Sequence, residues 1–119
     1  MSGYDKKMVR DHAPGWVYLL HFPLIEVPFY KIGLSRQPFN RLNQLRKEPW
    51  TFGCVIIAAA FWTNDMAEDE TYLLERFSQY RSRDGNEYFV MPDSAVADFI
   101  HEAKCLARDA NYRRDKVNP

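Results

Sequence analysis

From Trp16 to Phe22 the chain reads as an aromatic and branched run, the composition of a pleated, half-buried strand. Period-two alternation groups Tyr18 with Leu20 and Phe22 on one face and puts His21 on the other. Pro23 and Pro28 bracket a connection with no helical period. A second strand, Phe29 to Leu34, follows, and Gly33 near its end marks a close approach of the backbone to something else. A helical period then runs from Pro38 to about Lys47. Pro38 suits the first helical position, with Ser35 or Gln37 near the cap, and Phe39, Leu42 and Leu45 form an inward stripe.

Beyond the loop at Pro49–Gly53, Cys54 to Trp62 is continuously apolar, which predicts a central strand buried on both faces. Asn64 or Asp65 caps a second helix, with Glu68 three residues after Asp65 as in a capping box. Its stripe is Ala67, Leu74 and Phe77, with Leu73 and Tyr80 alongside. Arg81 to Asn86 is turn-rich. After Pro92, Asp93 or Ser94 caps a last helix striped by Val96, Phe99, Ile100, Ala103 and Leu106. These elements predict an α+β fold: a three-stranded, mainly antiparallel sheet flanked by helices, ordered ββαβα with a further C-terminal helix. One domain is expected over residues 15–108, between a flexible N-terminal arm (1–14) and a polar tail (109–119). His12 in the arm reads as a leader residue and not as a metal ligand.

Composition changes this picture little. With 119 residues and 46% hydrophobic positions, the chain suits one core-forming domain. Cys54 and Cys105 lie far apart, follow no metal-ligand spacing and read as reduced thiols of a cytoplasmic protein. No signal peptide and no membrane-spanning run is visible, so a soluble protein is expected.

Charge adds more. Sixteen basic and sixteen acidic residues cancel in number but are segregated. Lys31, Arg36, Arg41, Arg46 and Lys47 follow one another with no acid between Lys31 and Lys47, while Asp65, Glu68, Asp69, Glu70 and Glu75 cluster on the second helix. Arg41 borders the inward stripe of its helix; from the residues alone it reads either as a surface arginine whose stem covers apolar neighbours or as a fork that can hold a phosphate in two places. Glu70 shares a face with Leu73, Leu74 and Phe77, so its carboxylate needs a cation, which Arg41 or a bound metal could supply.

Trp16-Val17-Tyr18 after Gly15, then Lys31-Ile32-Gly33, then Arg41 on the following helix, resemble the motifs of the GIY-YIG nuclease superfamily. Tyr18, Tyr30-Lys31-Ile32-Gly33, Pro38 and Arg41-Leu42-Asn43-Gln44-Leu45 are most similar to its phage-type, DNA-binding branch. Lys31 stands where the nucleases carry a second tyrosine, and Leu74 where that branch often carries a histidine. The resemblance implies a DNA-directed endonuclease that hydrolyses a phosphodiester with one Mg2+ or Mn2+ ion on Glu70. In that expectation Tyr18, Lys31, Arg41, Glu70 and Asn86 are catalytic, and Tyr30, Gly33, Arg36 and Arg46 contact substrate. Lys31 could lower the tyrosine pKa or anchor a phosphate. Two alternatives stay open on the same residues: a nucleic-acid-binding domain that has lost cleavage, and a small phage-encoded modulator of a host protein.

Overall fold

The computed structural model describes residues 12–83, 85 and 87–108. Asn86 and most of the two polar ends therefore lie outside the described residues. The elements in chain order are strand β1 (Gly15–His21), strand β2 (Phe29–Ser35), helix α1 (Pro38–Arg46), strand β3 (Ile56–Thr63), helix α2 (Met66–Arg76), strand β4 (Tyr88–Val90) and helix α3 (Asp93–Arg108). Short 3-10 turns follow α1 at Pro49–Thr51 and α2 at Ser78–Tyr80.

The sheet corrects the three-stranded expectation. Among the described residues it has four strands in the order β3-β1-β2-β4, and all three pairings are antiparallel. The additional strand, β4, spans three residues and pairs Phe29 to Lys31 of β2 with Val90 to Tyr88. A strand that short shows no alternation to read. The chain is thus ββαβαβα and not ββαβα with a terminal helix.

The continuous apolar strand is also displaced from its expected place. β3 lies at an edge, and β1 and β2 hold the centre. An apolar run cannot distinguish burial on both faces from burial on one with large apolar residues left outside. Here Ile56 and Trp62 are exposed and Phe61 is buried, while Ala58 and Ala59 pack against the main core beneath α3. A register shift between Leu19 and Leu20 puts Ala59 opposite Leu19 but Ile57 opposite Leu20.

Alternation along β1 splits the interior in two. Val17 and Leu19 face a cluster containing Ile32, Phe61, Leu73, Phe77, Phe89 and Phe99, which α2 and α3 close. Tyr18, Leu20 and Phe22 face a second cluster with Phe29, Leu42, Leu45 and Val55, under α1. This second cluster is aromatic at its far end, where Tyr88 stacks on Phe29 at 5.4 Å and Trp50 lies 4.8 Å from Phe22. Helix α1 buries Leu42 and Leu45 only. Phe39, assigned to the inward stripe by spacing, is 69% exposed. It sits in the first turn of a nine-residue helix, where the stripe has already run off the sheet.

Helix α2 is capped as its sequence predicts. Asp65 accepts a hydrogen bond from the Glu68 N–H at 3.0 Å. His12 Nδ1 lies 2.8 and 3.1 Å from the same carboxylate, and the Met66 N–H donates to the Ala13 carbonyl at 3.1 Å. On its buried side Tyr72 donates to Glu102 of α3 at 3.1 Å.

Candidate functional site

β4 covers only the first part of β2, so among the described residues no strand lies beside the outer edge of β2 near Gly33, Leu34 and Ser35. A pocket of about 520 Å³ opens there. β1 and β2 supply Tyr18, Lys31 and Gly33; the turn into α1 supplies Ser35, Arg36 and Gln37; α1 supplies Arg41; α2 supplies Met66 and Glu70; and Glu87 closes the last side.

Tyr18 is the floor. It pairs with Gly33 across the strands, and its ring lies flat over that glycine. A Cβ at Gly33 would sit 2.7 Å from the Tyr18 Cε1 atom, inside any permitted contact, so the close approach expected at Gly33 is the tyrosine ring itself. The hydroxyl reaches the pocket and donates to the Leu34 carbonyl at 3.4 Å. Burial pushes its pKa from 10.0 up to about 12. Arg41 pulls it down by charge and hydrogen bond, while Glu70 and Glu87 push it further up. Lys31 is not among the groups that shift this phenol. Tyr18 is a protonated donor at neutral pH.

Lys31 is otherwise engaged. It is 4% exposed and forms an ion pair with Glu87, and its ammonium stands 4.9 Å from the centre of the Tyr88 ring. A buried ammonium without a counter-charge is costly. Glu87 answers that need from the loop before β4. The sequence shows the Glu-Tyr-Phe run but not this partner, which is 56 residues away in the chain.

Of the expected site residues, the fold brings together Tyr18, Lys31, Gly33, Arg36, Arg41 and Glu70. Arg41 lies on the exposed side of α1, and its guanidinium also donates to Gln44 at 3.2 Å. Glu70 is half-buried on α2 and faces it across the pocket rim. Two expected substrate contacts are elsewhere. Tyr30 points to the opposite face, buried and stacked on His21 at 4.6 Å. Arg46 is bound to the chain's own backbone, donating twice to the Val55 carbonyl at 3.2 and 2.9 Å. Asn86 lies outside the described residues. The structure adds Glu87, Ser35 and Gln37 to the pocket; the Gln37 N–H donates to Ser35 Oγ at 2.9 Å and fixes the turn into α1.

Two carboxylates line the pocket, Glu70 and Glu87, and each is already engaged within the chain, Glu87 by Lys31. Among the described residues no group of three or more His, Cys, Asp or Glu could hold an ion unaided. One carboxylate completed by water and substrate oxygens is a common magnesium arrangement, so the residues present fit a substrate-assisted ion and not a resident structural one.

The fold and pocket define a small α+β domain with three cations, two carboxylates and a protonated phenol gathered at an open strand edge. Residues 15–104 match the model of the T5orf172 domain, a phage-associated domain, and the chain belongs to that family. This corrects the resemblance drawn from the short motifs, because the T5orf172 domain is a different family from the GIY-YIG nucleases. No curated protein and no solved structure matches the chain. Among the described residues no helix is long and apolar enough to cross a membrane.

Proposed function

We propose that the pocket binds a DNA phosphodiester and hydrolyses it with the help of one divalent ion. The observation that carries this reading is the convergence of Tyr18, Arg41 and Glu70, from three separate elements, on one open pocket. Arg36 and Arg41 supply fixed positive charge where a phosphate carries negative charge and gains more in the transition state. Tyr18, kept protonated, donates a hydrogen bond to a phosphate oxygen or to the attacking water and does not take its proton. Lys31, held by Glu87, fixes the inner wall. Glu70 would hold the Mg2+ or Mn2+ ion, which when bound polarises the phosphoryl group.

A chelator-controlled cleavage assay on supercoiled, linear and branched DNA tests the reading. Manganese-dependent cutting should vanish in Glu70→Ala and Arg41→Ala while both variants keep their circular dichroism. Cutting that both variants retain overturns it. A second reading, DNA binding without cleavage, is favoured by one observation: Tyr18 is a donor and Lys31 is ion-paired, so neither is poised as a base. It predicts salt-sensitive binding that Arg41→Ala weakens, with no cutting under any metal.

A further inference from the structure

The strand register extends the pocket's floor in one direction. Tyr18 has Gly33 on one side and Ala60 on the other; two residues earlier on β1, Trp16 has Ser35 on one side and Trp62 on the other. Directly paired residues share a face, so Ser35, Trp16 and Trp62 form one rung beside the Tyr18 rung. Ser35 lines the pocket. The two indoles meet edge to face, with centroids 5.6 Å apart and planes at 81°. Helix α1 packs over the other end of this face, with Leu42 and Leu45 in one cluster with Leu20 and Phe22. It leaves Trp62 50% exposed and Ala60 open beside it.

Phe39 and Phe52 are more exposed than Trp62, so exposure alone carries nothing; the place of the tryptophan pair does. Neighbouring strands are ~4.8 Å apart, so Trp16 and Trp62 stand ~5 and ~10 Å from Ser35 across the sheet. That is the reach of the next one or two nucleotides of a strand whose phosphate lies beside Arg36 and Arg41. Aromatic side chains hold bases by their faces, and the faces are accessible only where bases are unpaired. Arg36 and Arg41, both exposed, line the pocket that Ser35 also lines, so the rung is approached from that side past two cations.

We propose that Trp16 and Trp62 are a stacking platform for unpaired DNA bases, so that the substrate is single-stranded or locally opened where it crosses this face. The proposal rests on the phosphodiester reading above and names its substrate class.

Equilibrium binding of fluorescent oligothymidylate, and of a duplex of equal length, would be measured at low salt with chelator present to prevent cutting. The proteins compared are wild type, Trp62→Ala, Trp62→Phe and Arg41→Ala. Trp62→Ala should weaken single-strand binding about tenfold, the loss of one stacked base, and duplex binding less than about twofold. Trp62→Phe should recover most of the loss, because a smaller ring still stacks. Arg41→Ala should weaken both DNAs. Unchanged single-strand affinity in Trp62→Ala overturns the platform and leaves the phosphate reading intact. Loss in Trp62→Ala with none in Arg41→Ala upholds the platform and overturns the phosphate reading. A wild-type dimer that Trp62→Ala splits, with single-strand affinity unchanged, overturns the proposal and assigns the surface to a second copy of the chain.

Discussion

One face of the sheet is closed and the other is half open. Beneath α2 and α3, the described part of the main cluster is sealed by fully buried Ile32, Leu73, Phe77, Phe89 and Phe99. Buried Glu102 accepts a hydrogen bond from Tyr72 and pairs at 3.5 Å with Arg76 at the margin. Under α1, a nine-residue helix buries two leucines and stops, and the remainder of that face is Tyr18, Trp16 and Trp62 beside the pocket. The closed packing lies on one side of the sheet and the candidate pocket on the other. The division runs through single strands, because neighbouring residues of β1 serve opposite sides.

That division can be broken most severely from the closed side. Phe99→Ala empties the space of a fully buried ring that packs 5.4 Å from Phe77. It should cost ~3–5 kcal/mol in urea unfolding, with the pocket affected only through global unfolding. Next comes the seam between the sides. Gly33→Ala drives a methyl into the Tyr18 ring and should cost ~1–3 kcal/mol. Unlike Phe99→Ala, it should also impair DNA binding in protein that remains folded, since the phenol must leave the pocket floor. Equal binding by folded Gly33→Ala and wild type would show that the ring's position is unimportant.

A smaller effect is confined to alkaline pH. The Tyr18 pKa is about 12 when folded against an ordinary 10.0, mainly through burial. Between these values the unfolded chain loses the proton and the folded chain keeps it. The contribution of Tyr18 is therefore complete below pH 10 and lost as pH rises through 12. Tyr72, also raised to about 12, behaves alike on the closed side. Tyr18→Phe should flatten part of the stability decline in this window, and Tyr72→Phe another part, both read by denaturant midpoints against pH. An unaltered decline in Tyr18→Phe would mean the phenol titrates normally. Smallest of all is Phe39→Ser on the outside of α1, where the ring is 69% exposed and the change should stay within ~0.5 kcal/mol.

What the sequence made legible follows physical reach. Alternation in β1 separated Tyr18 from His21, and the Asp65–Glu68 spacing located the start of α2. The charge run around Arg36 and Arg41, with Glu70 on the next helix, pointed to residues that the fold gathers around one pocket. Features that depend on distant partners were not readable. The place of β3 at an edge depends on which strand takes its other side. The three residues of β4 carry no period, and the Lys31–Glu87 pair spans the chain. Arg46 resembles Arg36 and Arg41 in sequence, and only the Val55 carbonyl distinguishes its role. The short motifs place a tyrosine over a glycine, a local arrangement, whereas the family match rests on residues 15–104 as a whole.

The clasp at the start of α2 bears on where this domain can be cut. The family match begins at residue 15, but the Met66 N–H finds its acceptor at Ala13 and the Asp65 carboxylate lies against His12. A fragment trimmed to Gly15 would leave the Met66 N–H, at the first turn of the helix that carries Glu70, without its acceptor, at a cost of ~1 kcal/mol or more. The smallest portable piece of this protein is thus longer than its matched segment, and its working boundary is set by a hydrogen bond.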